Sequence, residues 1–357
     1  MHPPARKRLP ANALRRVALA TDALRAGRAV HLGGAFAMLA AEVLDDAALA
    51  RMRRERAFLV LTHARARTLK IRLYTPGVVA LPLTAGMDAA RIRAIADPTA
   101  DLATPLKGPF EAAREKLPDA FAAAVKLAKL AGLLPAAIVT RVRAGAAEVS
   151  VGDILSYEQN AAASLKPVMR ARVPLEGAEE AELVAFRADD GAPENIAILI
   201  GRPPTPGPVL TRLHSECFTG DLLGSLKCDC GQQLRGALDA ISKSGGGVLL
   251  YLAQEGRGIG LINKLRAYKL QDQGFDTLEA NERLGFEADE RLYAIAARIL
   301  SLLGYKSVRL LTNNPDKVAG LKAAGIAVVE RVRHAFPANL HNRVYLKTKA
   351  EKAGHLF

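Results

Sequence analysis

Residues 208–252 read PVLTRLHSECFTGDLLGSLKCDCGQQLRGALDAISKSGGGVLLYL. A strand-like run, PVLTRLHSE, enters a polar loop that holds all three cysteines of the chain. GQQLRGALDAISKSG follows with helical spacing, and GGVLLYL returns as an apolar strand. Strand, loop, helix and strand in that order are the texture of an α/β fold. The alternation continues downstream. A polar glycine turn (EGRGIG, 255–260) leads to a helix over LINKLRAYKLQDQG. A second helix is expected from about Asp289 to Leu303, with Leu292, Ile295, Ile299 and Leu302 on one face. Strand SVRLLT, helix PDKVAGLKAAG and strand AVVERV close the series.

Upstream the pattern is similar but looser. A helix around Val17 to Arg25 stops at Gly27. Strand RAVHLG, helix DDAALARMRRERA and the apolar run FLVLT follow, and a further helix spans about Ala120 to Ala131, with Gly132 as its stop and Pro135 ahead of a strand. Residues 144–166 are less regular. VMRARVPL and ENIAILIG look like strands that can pack with either neighbour. Four prolines then fall within 203–208, where neither a helix nor a central strand can continue. The expected fold is therefore α/β in two domains, 1–202 and 203–357, each a mixed sheet with packed helices.

A chain of 357 residues has room for two ordinary cores. Its 50 basic and 36 acidic residues leave a net charge of +14. The excess is spread: 29 − 21 = +8 over residues 1–208 and 21 − 15 = +6 over the rest. A spread excess suits a small anionic substrate better than nucleic acid, which calls for a basic stripe or arm. No apolar run approaches the roughly 18 residues of a spanning helix, so no membrane partner is expected. The basic start MHPPARKRLPANALRRVALA lacks a clean apolar core and cleavage site, which points to a cytoplasmic address.

Cys217, Cys228 and Cys230 form C-x10-C-x-C, an odd cluster unsuited to a closed disulfide set. Three thiolates with one open position match catalytic zinc, and zinc lowers the pKa of bound water toward about 7. His214 or Glu216 could instead complete a closed structural site. The turn at Glu255, Gly256 and Arg257 is G-x-G-x-G rather than the dinucleotide fingerprint G-x-G-x-x-G, yet it offers backbone N–H groups and a guanidinium at a helix entrance. Thr312 and Lys317 sit at the end of a strand and the start of a helix, the crevice where α/β sheets bind ligands. Asp289 and Arg291 fall in the first turn of the expected helix, where a cap and a surface charge are the plain alternatives.

Taken together, RLHSECFTGDLLGSLKCDCGQQL, YLAQEGRGIGLINKLRAYKLQDQGFDTLEAN, LGFEADER, LLTNNPDK and the tail TKAEKAGHLF resemble GTP cyclohydrolase II of riboflavin biosynthesis, over residues 208–357. The resemblance implies that the three cysteines hold one zinc per subunit. GTP, accompanied by magnesium at its phosphates, would be opened at the imidazole ring with release of formate and pyrophosphate. It implies GTP contacts from Arg212, Leu213, His214, Ser215, Glu216, Gln233, Glu255, Gly256, Arg257, Thr277, Thr312 and Lys317. It assigns Asp289 as proton acceptor and Arg291 as nucleophile on the α-phosphorus, with Tyr268 also at the active site. Neutralising phosphate charge is the more ordinary task of a guanidinium, so both roles stand open for Arg291. A homodimer is implied as well. Competing readings are a related zinc-dependent purine-nucleotide hydrolase that retains the formyl group, a bifunctional enzyme with residual synthase activity in its first half, and a non-catalytic zinc–nucleotide binding protein.

The first half is similar, across about residues 14–143, to 3,4-dihydroxy-2-butanone-4-phosphate synthase, through ALRAGRAVHL, LAAEVLDDAALARMRRERAFLVLT, RIRAIADP and AAAVKLAKLAGLLPAAIV. It departs where that family's chemistry sits. HLGGAFAMLAAE retains only Glu42 of an acidic metal loop, and Leu117-Pro118-Asp119-Ala120 stands where the family has Gly-His-Thr-Glu. Asp45 and Asp46 read as a helix cap and Asp88 and Asp97 as turn residues. A domain without synthase activity is expected.

Overall fold

A computed structural model describes residues 11–53, 56–142, 148–203, 206–352, 354 and 356, and among the described residues twelve strands form two sheets. The chain divides into two units. The first runs to Ala161 with residues 189–191 and 283–285, and the second comprises the remainder. The basic N-terminal decapeptide, Pro204 and Thr205 of the proline cluster, and parts of the tail TKAEKAGHLF lie outside the described residues.

The first unit carries β1 (Val30–Leu32), β2 (Phe36–Ala40), β3 (Ala57–Thr62), β4 (Val78–Pro82) and β5 (Ala136–Arg141) in the order β1-β2-β5-β3-β4. Neighbouring strands are all antiparallel, and the parallel component is confined to an isolated bridge between Leu32 and Val149. Helices Ala11–Arg25 and Asp119–Leu130 bury Val17, Leu24, Phe121 and Leu127 in its core. The Phe121 ring meets Phe36 and Phe58 edge-on at 5.8 and 5.6 Å, each pair adding about 1 kcal/mol beyond the area it buries. Asp45 caps helix Asp46–Met52 by accepting from the Ala48 amide at 2.6 Å. Asp88, read as a turn residue, caps helix Ala89–Ala96 in the same way. Glu42 accepts from the Leu134 amide at 2.8 Å, a structural use of that carboxylate.

The second unit holds β6 (Lys166–Arg172), β7 (Ala181–Arg187), β8 (Asn195–Gly201), β9 (Val209–Ser215), β10 (Gly246–Leu252), β11 (Ser307–Leu311) and β12 (Ala327–Val332), ordered β12-β11-β9-β10-β8-β7-β6. β12, β11, β9 and β10 are parallel, and β8, β7 and β6 continue antiparallel from β10. This sheet is mixed, as expected. The division between units, however, falls at 161/162 rather than 202/203. Strands 166–201 hydrogen-bond into the second sheet through the β8–β10 ladder, so the proline cluster is a connection inside a unit and not a boundary between two.

Parallel strands bury both faces. Leu213, Leu250 and Leu310 enter one core with Ala296 and Leu300, while Leu210, Leu249 and Leu311 enter another with Ala237 and Ile241. The carboxyl ends of β9, β10 and β11 therefore point the same way, and a polar loop follows each. β9 and β11 lie side by side, and their onward connections run to opposite sides, to β10 and to β12. That is where open α/β sheets form a ligand crevice.

Candidate active site

The loop after β9 places Cys217 first. A single π-turn, Phe218–Leu222, brings Asp221 back so that its carboxylate accepts from the Cys217 amide at 3.0 Å. Cys228 and Cys230 flank the buried Asp229 at the start of helix Cys230–Lys243. The three Sγ atoms lie within 4.8 Å of one another, with 3.9 Å between Cys217 and Cys228. A tetrahedron of sulfurs about 2.3 Å from zinc has edges of about 3.8 Å, so the spacing and the donor chemistry fit that ion. Gly220 closes the floor: a Cβ there would stand 2.8 Å from Cys228 Sγ and 3.0 Å from Cys217 Sγ.

Hydrogen bonds from the neighbouring thiols, joined by one from Lys264, hold Cys217 far below the ordinary thiol range. The thiolate so formed makes Cys228 and Cys230 harder to ionise and pushes both up. A cation entering the triad must displace those protons. Among the described residues no fourth ligand joins the cluster. His214 is turned to another use. Its Nε2 lies 3.0 Å from the Asp221 carboxylate, and its ring stacks on Tyr251, whose hydroxyl donates to the same carboxylate at 3.1 Å. Burial lowers the His214 pKa, and its Nδ1 is buried without a partner. Glu216 faces the cleft. Burial, with Glu255 and Asp221 nearby, raises its pKa.

The loop after β10 carries Gly256, Arg257 and Gly258 at φ values of +63°, +62° and +93°. Arg257 is a non-glycine residue held in the left-handed region, a strain found mostly at functional sites. The N–H cradle expected here is largely spent within the turn. The Gly256 amide donates to Glu255 Oε1, that of Gly258 to the Gln254 carbonyl and that of Gly260 to the Glu255 carbonyl.

After β11, the Asn314 amide donates to Thr312 Oγ1 at 3.0 Å. Asn314 caps helix Pro315–Ala323, and Lys317 reaches back to the Leu213 carbonyl at 2.7 Å. Leu213 itself is a core side chain and joins the site through that carbonyl. Arg212 is buried in the wall of the same cleft. Its Nη1 donates to the Leu311 carbonyl at 3.0 Å and its Nη2 to Gln233, which in turn donates to Asp229. Burial pushes the Arg212 guanidinium down to about 10.

Asp289 and Arg291 precede the helix rather than opening it, for the helix spans Tyr293–Leu302 and Leu292 is its cap without a side-chain bond. Arg291 instead clasps Asp289, Nε at 2.7 Å and Nη2 at 2.6 Å, and the Tyr293 hydroxyl adds a third bond at 2.7 Å. Burial alone would raise Asp289, but these partners outweigh it and hold the carboxyl below its usual range. By the same pairing Arg291 is raised. Arg291 lines the cleft and Asp289 stands behind it.

The cleft encloses about 1020 Å³ including its mouth and gathers sixteen of the eighteen residues singled out in the sequence, all but Leu213 and Asp289. Tyr268 and Thr277 are among them, and burial raises the Tyr268 hydroxyl. Lys264, Asp229, Gln271, Asn281, Asn313 and Tyr345 also line the cleft and were not anticipated. Helical spacing could have found Lys264, four residues before Tyr268 on helix Leu261–Asp272. Nothing local marks Tyr345, which comes from helix Arg343–Glu351.

The GTP cyclohydrolase II family pattern matches residues 166–333. The chain is 50% identical to a protein of Azospirillum brasilense named GTP cyclohydrolase-2, across 97% of this chain and 94% of that one. It is 46% identical to the riboflavin biosynthesis protein RibBA of a Synechocystis species, across 65% of this chain and 45% of the relative. It is 45% identical to the RibBA of Bacillus cereus, across 66% and 63%. The chain thus spans less than two thirds of those two relatives. Among solved structures, a two-domain 3,4-dihydroxy-2-butanone 4-phosphate synthase of A. baumannii, RibBX, matches 88% of this chain and 100% of its own at 17% identity and a TM-score of 0.34, too slight a likeness to bear on fold or activity.

Proposed function

The chain belongs to the GTP cyclohydrolase II family, and on that premise we propose that it opens the imidazole ring of GTP with release of formate and pyrophosphate. The product is 2,5-diamino-6-(5-phosphoribosylamino)pyrimidin-4(3H)-one, formed in the first step of riboflavin biosynthesis. The observation that carries this reading is the thiol triad, spaced for a tetrahedral ion, at the floor of a cleft that also holds Arg257, Arg291 and Lys317.

Cys217, Cys228 and Cys230 would hold one zinc ion, which when bound supplies Lewis-acid activation of water at neutral pH. The remaining work falls to the side chains. Arg257, Arg291 and Lys317 take the triphosphate, together with the magnesium that accompanies it. Arg291 acts as a clamp: its charged form is reinforced by Asp289, and a carboxyl held below its usual range accepts a proton poorly. Covalent attack by Arg291 would require the opposite balance. Tyr268, with its pKa raised, stays protonated at neutral pH and donates from its hydroxyl to water or purine. Gln233, Thr277, Thr312 and the 212–216 strand end complete the nucleotide contacts.

The first unit is read as a synthase-like domain without synthase chemistry, since Glu42 and its acidic neighbours Asp45 and Asp46 each accept from a backbone amide, of Leu134, Ala48 and Ala89. A homodimer in the cytoplasm completes the proposal; among the described residues no helix is long and apolar enough to cross a membrane. The test is turnover of GTP by the zinc-loaded chain with magnesium, followed by formate and pyrophosphate. Formate and pyrophosphate in equal amounts support the reading, whereas a ring-opened product that keeps its formyl group would favour the related hydrolase. Cys228→Ser should abolish zinc content and turnover together, and activity in a metal-free variant would refute the zinc assignment.

A further inference from the structure

We propose that Lys264 is the charge partner of the Cys217 thiolate in the metal-bound centre, a positioning residue that neutralises the cluster and fixes that sulfur. The inference rests on reading the three cysteines as a zinc site. Lys264 Nζ lies 3.0 Å from Cys217 Sγ, 2.9 Å from Thr219 Oγ1 and 3.0 Å from Glu255 Oε1. An ammonium has three donors and no acceptor, and here each donor has one acceptor. The side chain is only 10% exposed, so the charge requires anions of its own.

Glu255 supplies part of that need, but its carboxylate is shared. Oε2 accepts from the Phe218 amide at 2.6 Å, and Oε1 accepts from the Gly256 amide as well as from Lys264. The bond to sulfur completes the environment. It also joins helix Leu261–Asp272 to the loops after β9 and β10, so the lysine fixes the position of Cys217 relative to both.

Three thiolates around a divalent cation leave one net negative charge, and an ammonium in contact cancels it. Gathering three like charges becomes easier, and a charge-assisted N–H to sulfur bond withdraws electron density from the thiolate. The sulfur then donates less to the ion, which stays a stronger Lewis acid. Arg212, another buried cation lining the cleft, spends its Nη atoms on the Leu311 carbonyl and Gln233. A guanidinium at position 264 would preserve the charge, but its planar fork does not fit three convergent acceptors.

The test compares the full chain with Lys264→Met, Lys264→Gln and Lys264→Arg, without GTP. Zinc affinity is read by chelator competition, and thiolate character by the charge-transfer band of the cobalt(II)-substituted protein. Lys264→Met should bind zinc about 10- to 100-fold more weakly and move the band to lower energy. Lys264→Gln, a neutral donor, should fall between, and Lys264→Arg should recover part of the affinity. Should Lys264→Met fail to fold, tighter zinc binding by Lys264→Arg than by Lys264→Gln carries the claim, and equal binding overturns it. Wild-type affinity within twofold together with an unmoved band in Lys264→Met would also overturn it, whatever happens to turnover. An unsubstituted chain that takes up no zinc and shows no thiolate band would instead refute the zinc site itself.

Discussion

Gly220→Ala adds one carbon at the floor of the thiol triad. Its Cβ would meet Cys228 Sγ at 2.8 Å, Cys230 Cβ at 2.9 Å and Cys217 Sγ at 3.0 Å. Ordinary contact begins at about 3.4 Å, so these atoms must retreat by 3.4 − 3.0 = 0.4 to 3.4 − 2.8 = 0.6 Å. Backbone strain plays no part, since φ at Gly220 is not positive. Two of the displaced atoms are proposed zinc donors whose present spacing of 3.9 Å is already near the tetrahedral edge. Overpacking a tight site costs about 1–3 kcal/mol. If the metal-free thiols relieve it by spreading, zinc affinity should fall about 5- to 150-fold. Gly224→Ala is the control in the same loop: φ is +64° and nothing lies within 4 Å of the added carbon. It should lower stability by about 1–2 kcal/mol through strain and leave zinc affinity unchanged. Chelator competition on both variants decides. Wild-type affinity in Gly220→Ala, or an equal loss in Gly224→Ala, would refute the reasoning.

Other perturbations follow from the same geometry. Arg291→Lys preserves the charge but loses the fork that grips Asp289, so kcat/KM for GTP should fall by at least tenfold with no guanylylated peptide trapped; near-normal turnover would demote Arg291 to a structural charge. His334 donates from Nε2 to the Gln233 carbonyl, and burial pushes its pKa down to about 4. Its folded pKa lies below the unfolded value of about 6.5, so the unfolded chain takes up the proton first and stability drains away as pH falls from about 6.5 to about 4. The loss is roughly 3 kcal/mol, and in urea titrations of the zinc-free chain it should be absent from His334→Gln; an identical slope in that variant would remove His334 as the cause. A fragment beginning at Ala162 should hydrolyse GTP. One beginning at Pro203 lacks β8 and leaves the β10 edge unpaired, so it should aggregate; soluble, active 203–357 would contradict the assigned sheet.

Most strands and helices from β9 onward were legible because the apolar runs there are short, alternating or helical, and the helices end at Gly245, Gly274, Gly304 and Gly325; the short helices Thr277–Arg283 and Arg343–Glu351 carry no comparable apolar stripe and were missed. The limits of the readable appear at particular residues. The proline cluster at 203–208 looks like a boundary because proline breaks local structure, but the β8–β10 ladder that overrides it pairs residues 45 to 55 positions apart, from Gly201 with Gly246 to Ile196 with Tyr251. FEADER looks like the cap of a helix, because Asp favours that place. Here the Asp289 carboxylate is drawn off by the guanidinium two residues on, and the helix waits for Tyr293. The turn after β10 offers amides to a ligand only until their partners inside the turn are known. Lys264 shows the converse case: helical spacing sets it on the same face as Tyr268, but only the fold brings it to the Cys217 sulfur.

The most direct test of the account is to follow GTP labelled with ¹³C at C8 by NMR, using the purified chain with zinc and magnesium. The account predicts that the label leaves as free formate in step with pyrophosphate, that chelation stops both, and that zinc restores both. Label that stays on the purine, that remains as a formyl group on the ring-opened product, or that is released at an undiminished rate after zinc is stripped would contradict it.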